Sequence, residues 1–396
     1  MKSLVRYLNL NNVGCLELIF ALYPILASYS FLGLPMYLLL PLLVDSWIII
    51  RKRSRRVDMK FHVLILLLMY IICKQLFLIL GTRGVMSDFN LIIGYVICVV
   101  SLLILAPALD VRKLEGSINW VALICVMGLL YHVYNIVSGT LPETILLPFF
   151  RNDRVITESL MGTASVRPRS FFVEPQAYVS FIIVPLAIAL HKKKFIWSSV
   201  LLISALLSLS TTGIAYAAIM VLAYLFTQKS PVYFKISAVV LSVLLFFAFT
   251  RMDFFAMGLN KLENTTADSD LRLYQGRAIV ETMPSTYYLF GAPYSSVISY
   301  VKAGLASKVD LVTYGDIVFM PTFWFMIFSY GAVGFMLYAL FYIKIFKHKK
   351  FLLPYLACLV GGLFTNTDGS LGAMFLFQLG FAYAYGKYHE ENYCTT

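Results

Sequence analysis

The chain of 396 residues is 60% hydrophobic and only 13% charged, and its mean hydropathy is +0.81. Soluble domains carry about 25% charged residues, so this composition excludes an ordinary soluble protein and predicts a polytopic membrane protein. The net charge of +12 does not indicate nucleic acid binding, because the basic residues form short clusters between apolar runs instead of a basic face with its own fold.

A hydrocarbon core roughly 30 Å thick requires about 20 apolar residues per helix. We predict an all-α fold with about twelve transmembrane helices, within a range of about 10 to 14, in a single domain that covers residues 1–396. The predicted spans lie at residues 14–30, 32–50, 61–80, 89–107, 118–138, 171–190, 195–210, 212–227, 233–250, 317–343, 351–366 and 371–386.

The orientation is predicted from the basic clusters, because short loops rich in Lys and Arg remain in the cytoplasm. All the clusters follow an even-numbered span or precede the next odd-numbered one: residues 51–56, 112–113, 192–194, 229 with 235, and 344–350. Both termini are therefore predicted to be cytoplasmic. The opposite face carries two larger loops, at residues 139–170 and 251–316, and the second contains a predicted amphipathic helix near residues 269–283.

The first of these loops ends in the most informative segment, SVRPRSFFVEPQAY at residues 165–178. It places Arg167, Arg169 and Glu174 at the entrance of a predicted span. The second loop contributes Arg272 and Arg277. Charge gathered at a membrane boundary, in a chain that otherwise avoids charge, indicates a functional site.

Several short motifs of the chain resemble one family. RPRSFFVEPQAY is similar to the Arg, Gly/Ser, Phe, Glu-Pro-Asn element of the O-antigen polymerase and O-antigen ligase superfamily, with Gln176 where Asn is usual. Later pieces follow in the same order: LSLSTTG at residues 207–213, LRLYQGRAIV and LFGAP within 271–293, YGDIVFM and SYGAVGFMLY within 314–338, and TNTDG at 365–369.

This resemblance implies a Wzy-type polymerase of the bacterial inner membrane, with an active site that faces the periplasm. Such an enzyme transfers a growing sugar chain from undecaprenyl diphosphate to the free end sugar of the next lipid-linked repeat, and it uses no nucleotide sugar. The implied partners are the undecaprenyl-diphosphate-linked oligosaccharide, membrane lipid and, as a candidate, a chain-length regulator protein. No metal, other cofactor or nucleic acid is expected.

A diphosphate group is matched best by bidentate guanidinium groups. We therefore expect Arg167 and Arg169 from the first loop, and Arg272 and Arg277 from the second, to clamp the diphosphates of two lipid-linked substrates. The alternative is structural: such arginines also extend toward lipid headgroups, and Arg277 can pair with Glu281 at helical i,i+4 spacing.

Glycosyl transfer benefits from a base that accepts the proton of the attacking hydroxyl. Glu174 is the preferred candidate, although it can instead cap the helix that begins at Pro175 or pair with Arg169. His132 can act as the base or bond to a neighbouring helix. Asp310 and Asp316 are further candidates.

Two other residues complete the predicted substrate site. Lys74 lies inside the third predicted span, where its ammonium group extends to the membrane surface or points inward and adds positive charge to the site. Tyr314 belongs to a group of aromatic residues in the outer loops that can stack on sugar rings.

Three functions remain open at this point. The polymerase is the first. The second is the O-antigen ligase, which transfers polymer to lipid A core; its family pattern has a histidine in the large outer loop, and residues 251–316 contain none. The third is a polysaccharide transporter or flippase, which would be expected to show two similar halves with interrupted helices.

Overall fold

The computed structural model describes residues 7–31, 34–50, 62–80, 86–140, 167–172, 174–227, 271–293, 297–305, 320–345, 352–364 and 373–393. Helices account for 81% of the chain in these ranges. The prediction of a mostly helical protein is therefore confirmed.

Within these ranges the elements are short to medium helices and one small hairpin. In chain order they are α1 (Cys15–Leu26), β1 (Ser30–Phe31), β2 (Leu34–Pro35), α2 (Met36–Ile50), α3 (His62–Leu80), α4 (Met86–Leu105), a 3₁₀ turn (Ala106–Ala108), α5 (Val111–Val137), α6 (Pro175–His191), α7 (Phe195–Leu207), α8 (Thr211–Thr227), α9 (Leu271–Glu281), α10 (Tyr287–Phe290), α11 (Val297–Lys302), α12 (Thr322–Ile345), α13 (Leu352–Phe364) and α14 (Ala373–Tyr393).

Eleven of the predicted apolar runs correspond to helices among the described residues, and the run at 233–250 lies outside them. Two helices, Val111–Val137 and Thr322–Lys344, are long and apolar enough to cross a membrane by length and composition. Eight further apolar helices of this part of the chain are shorter.

Three local predictions are corrected. The all-α prediction missed the hairpin, in which β1 and β2 pair antiparallel with Ser30 opposite Pro35. The sixth predicted span begins at residue 171, but α6 begins only at Pro175, because Phe171 and Phe172 have a non-helical backbone. The span predicted at 317–343 is interrupted at Gly331, where the backbone is not helical.

The chain divides into two compact units. Unit 1 comprises Met1–Tyr37, Leu109–Asn264 and Lys350–Gly361. Unit 2 comprises Leu38–Ala108, Thr265–Lys349 and Gly362–Thr396.

In unit 1, α5 packs against α1, α6 and α7, and α8 packs against α6 and α7. Polar groups gather near the N-terminal end of α5. The buried carboxylate of Glu115 binds the ammonium groups of Lys192 and Lys194, and the side-chain amide of Asn9 donates to the Arg112 carbonyl. Two of the predicted basic clusters therefore lie at the same end of α5.

In unit 2, α12 packs against α3, α9, α10 and α14, while α4 packs against α3 and α14. The core between these helices contains aromatic rings, such as Tyr300 edge-on to Phe328 at 5.2 Å between centroids. The interrupted helix α12 thus lies at the centre of the contacts that hold unit 2 together.

Candidate functional site

The candidate site in unit 1 is built around residues 167–172, which we call the arginine segment. Its backbone is not helical, and Pro168, Arg169, Ser170 and Phe172 are buried; Arg169 is only 3% exposed. A buried irregular backbone requires partners for its polar groups. These partners come mainly from α5.

His132 of α5 provides the first of these partners. Its Nδ1 atom accepts a hydrogen bond from the backbone N–H of Arg169, at 3.3 Å, and the imidazole is 1% exposed. His132 lies five residues before Val137, the last residue of α5. At about 1.5 Å per residue, the arginine segment therefore reaches more than one helical turn below the end of α5.

Ser170 provides the second attachment. Its hydroxyl donates to the carbonyl of Cys125 on α5, at 2.7 Å, and the residue is fully buried. The backbone of Ser170 has a φ of +55°, in the left-handed region that residues with a Cβ adopt at a cost of about 1–2 kcal/mol. The turn continues with a hydrogen bond from the Phe172 N–H to the Arg169 carbonyl, at 3.1 Å.

Aromatic side chains hold the end of the arginine segment. The Phe172 ring packs against Tyr178 and Phe181 of α6, with centroid distances of 5.9 Å to each. From the N-terminal part of unit 1, the Tyr29 hydroxyl donates to the Phe171 carbonyl at 3.3 Å. Three separate parts of unit 1 thus fix this segment.

Glu174 occupies the N-cap position of α6 with an extended backbone, and Pro175 is the first helical residue. The Glu174 carbonyl accepts the first helical hydrogen bonds, from Ala177 and Tyr178. Its side chain, however, makes no capping hydrogen bond. Side-chain capping, one of the two structural alternatives for Glu174, is therefore absent, and pairing with Arg169 stays the other.

The arginines of the second loop belong to α9 in unit 2. The Arg277 guanidinium binds Glu281 one turn later, at 2.6 Å, as the i,i+4 spacing predicted. Both side chains are exposed, by 62% and 45%. Arg272 lies in the first turn of α9, and its side chain is outside what the structure describes.

Lys74 of α3 points toward the interruption of α12. Its ammonium group donates to the carbonyl of Ser329 and lies 5.7 Å from the centroid of the Tyr330 ring. Extension to the membrane surface, one of the two predicted orientations, is therefore not what this side chain does. Its partner is a backbone carbonyl of the interrupted helix.

Three consecutive carbonyls are freed where α12 is interrupted, and each has a partner. The Phe328 carbonyl accepts from the Ala292 N–H at 2.7 Å, and the Ser329 carbonyl accepts from Lys74. The Tyr330 carbonyl shares the Tyr70 hydroxyl, at 3.0 Å, with the Phe290 carbonyl at 2.9 Å. The motifs LFGAP and SYGAVG meet here. Positive φ values of 84° at Gly291 and 63° at Gly331 make the close approach feasible.

Three predicted residues cannot be placed. Asp310, Tyr314 and Asp316 lie outside the described residues. Sequence reasoning in turn missed Cys125, Ser170, Tyr70 and Gly331. A serine with positive φ leaves no signal in the sequence, whereas a glycine inside an apolar run, as at Gly331, is a recognised sign of a helix interruption.

Among the described residues, no group of three or more His, Cys, Asp or Glu side chains could hold a metal ion. The arginine segment carries two guanidinium groups, which are suited to anions, and α6 begins two residues after it with a partial positive charge at its N-terminus. Searches found no matching protein family, no matching curated protein and no matching solved structure.

Proposed function

We propose that this protein is a surface-polysaccharide polymerase of the bacterial inner membrane. It joins oligosaccharide repeats carried on undecaprenyl diphosphate at the periplasmic face. The hydroxyl oxygen of the acceptor sugar attacks the anomeric carbon of the donor chain, the bond from that carbon to the diphosphate breaks, and undecaprenyl diphosphate leaves. The hydroxyl proton passes to a carboxylate, for which Glu174 is the first candidate.

The observation that carries the proposal is the buried Arg169 in the arginine segment. Arg169 is 3% exposed, and a guanidinium group presents its N–H donors in a rigid fork that matches the geometry of phosphate oxygens. Two residues separate the segment from the N-terminus of α6, and the macrodipole gives that end of a helix a partial positive charge that favours anions. A diphosphate leaving group matches both features.

The membrane setting of the proposal is supported by the composition and by the apolar helices. In a bilayer, irregular backbone is tolerated only where it is buried in protein or lines a water-filled cavity. The arginine segment is buried in protein at most of its residues. Its backbone bonds to His132 of α5 and to Tyr29, which follows α1. The shared position of the 112–113 and 192–194 clusters at one end of α5 is compatible with a common cytoplasmic side.

The proposed roles are as follows. Arg167 and Arg169 bind one diphosphate, Arg272 and Arg277 bind another, and Tyr314 stacks on sugar. Glu174 is the preferred base, with Asp310 and Asp316 as alternatives. Lys74 is assigned a structural role in unit 2, because its ammonium group is already bound to Ser329.

The first experiment deletes the gene in the organism that encodes it and analyses surface polysaccharide on gels. Loss of a polymerase reduces the ladder to a single repeat, whereas loss of a ligase leaves lipid-linked polymer. Complementation with Arg167→Ala, Arg169→Ala, Arg272→Ala or Arg277→Ala then tests the clamp. Arg112→Ala, at the predicted cytoplasmic end, is the matched control that should restore the ladder; full-length polymer from all four test variants would reject the clamp.

A transporter or flippase is the second candidate, and the interruption of α12 favours it. Transport proteins place interrupted helices at their substrate sites, with freed carbonyls that bind cations. In this protein the ammonium group of Lys74 already binds the Ser329 carbonyl, so that carbonyl does not need a transported cation as its partner. The same deletion separates the two functions, because without a flippase no repeat reaches the surface at all, and even the single-repeat band disappears.

A further inference from the structure

We propose that His132 is a positioning residue, which holds the backbone of the arginine segment in place and takes no proton from the substrate. The proposal concerns the same site and rests on the proposed polymerase function for its activity measurement. It assigns to His132 a role different from the general base considered from the sequence.

The hydrogen bond between Arg169 and His132 has only one possible direction. The Arg169 backbone N–H can only donate, so Nδ1 of His132 accepts with its lone pair. In a neutral imidazole one nitrogen accepts and the other carries the proton, which assigns the proton to Nε2. Neither nitrogen then offers a lone pair to a sugar hydroxyl.

This hydrogen bond requires the neutral imidazole ring of His132. If Nδ1 were protonated, two donors would face each other at the position of the present hydrogen bond. A base that gains a proton during each turnover would therefore release the Arg169 backbone each time. A hydrogen bond that holds the Arg169 backbone and a proton-accepting Nδ1 of His132 are therefore incompatible.

His132 acts together with a second attachment point on the same helix, the carbonyl of Cys125. His132 holds residue 169, while the Cys125 carbonyl holds residue 170 through the Ser170 hydroxyl at 2.7 Å. Both attachment points lie on α5, and both Arg169 and Ser170 are buried. The segment is thus fixed on each side of the peptide bond that follows the buried arginine.

The experiment compares His132→Asn with His132→Leu in the full-length protein purified in detergent. Asn keeps an acceptor oxygen close to the position of Nδ1, and Leu has similar bulk without an acceptor. Hydrogen exchange of the peptide that contains Arg169 should stay slow in the wild type and in His132→Asn. It should become about three- to tenfold faster in His132→Leu, the factor that corresponds to one lost hydrogen bond.

The same variants are then assayed for polymer formation on lipid-linked repeats. We expect His132→Asn to restore the wild-type rate to within about threefold with an unchanged pH profile, while His132→Leu loses at least about tenfold in kcat/KM. Two results would overturn the proposal. One is an inactive His132→Asn that retains slow exchange, which would identify a proton-transfer role. The other is a His132→Leu variant with slow exchange and full activity.

The exchange measurement also separates this inference from the proposed function. If the wild-type protein forms no polymer, the polymerase proposal fails. The comparison of exchange rates in His132→Asn and His132→Leu still decides whether His132 holds the arginine segment.

Discussion

The arginine segment of unit 1 and the interruption of α12 in unit 2 both have non-helical backbone whose polar groups need hydrogen-bond partners, but they differ in which residues adopt positive φ. Both contain irregular backbone inside a packed set of helices, and both bond their freed polar groups to neighbouring helices. At the interruption the positive φ values belong to Gly291 and Gly331. In the arginine segment the positive φ belongs to Ser170, a residue with a Cβ.

This difference concerns backbone strain, which Asn9, Lys193 and Leu209 share with Ser170 among the described residues. Glycine adopts positive φ without steric cost, so the interruption of α12 stores no backbone strain there. Serine pays about 1–2 kcal/mol for the same conformation. Strained residues persist where the surroundings hold them, and they cluster at functional sites. The contrast agrees with a functional role for the segment that carries Arg169.

The largest effect is expected from Gly331→Ala. A Cβ at this position would lie 2.5 Å from the Gly291 nitrogen and the Leu289 carbonyl, and φ is +63°. Strain and overpacking together should lower stability by about 3 kcal/mol or more. Gly304→Ala is the matched control, with a φ of +74° and nothing within 4 Å. Thermal unfolding in detergent measures both, and equal losses would contradict the account.

Lys74→Met should have the next largest effect. It removes a cation from the Ser329 carbonyl, and hydrogen bonds to charged groups contribute about 1.5–3 kcal/mol. Tyr70→Phe removes a neutral hydroxyl that the Phe290 and Tyr330 carbonyls share, and it should cost only about 0.5–1.5 kcal/mol. The same unfolding assay ranks the two. A Lys74→Met protein as stable as the wild type would show that burial of the ammonium group offsets its hydrogen bond.

Ser170 offers a smaller but more specific test. Ser170→Ala loses the hydrogen bond to Cys125 and keeps the strained φ, so it should lose about 1 kcal/mol. Ser170→Gly loses the same bond but is relieved of about 1 kcal/mol of strain, so its stability should remain near that of the wild type. Unfolding of the two variants side by side gives the comparison. A less stable Gly variant would argue against strain at this residue.

The smallest effect on stability is expected from Arg277→Ala. Exposed i,i+4 ion pairs contribute only about 0.3–0.5 kcal/mol. Glu281→Ala breaks the same pair and leaves the guanidinium in place, so it is the matched control. If Arg277 binds a diphosphate, only Arg277→Ala should shorten the polymer on gels. Equal shortening by both variants would assign the effect to the ion pair.

Apolar runs in the sequence predicted most of the described helices, because the side chains of each helix face an apolar environment along most of its length. Helix α9, at Leu271–Glu281, falls within the range predicted from a helix start near residue 269 and from Pro284. The pairing of Arg277 with Glu281 was also anticipated from spacing alone. These features depend only on neighbours in the sequence.

The remaining features depend on partners far away in the chain. The late start of α6 follows from attachments to α5 more than 30 residues earlier, as in the hydrogen bond between Arg169 and His132. Lys74 is oriented by a carbonyl 255 residues away. Helix α14 continues to Tyr393, beyond the predicted limit at residue 386. The prediction ended too early because it followed apolar content alone, and the last turns of α14 are polar.

The central claim is that the arginine segment binds the diphosphate of a lipid-linked sugar repeat during polymerisation. The most direct measurement incubates the purified protein with undecaprenyl-diphosphate-linked repeats alone and quantifies the release of undecaprenyl diphosphate together with polymer. The account predicts release by the wild type and by Arg112→Ala, and none by a folded Arg169→Ala protein. Undiminished release by Arg169→Ala, or no release by the wild type, would contradict it.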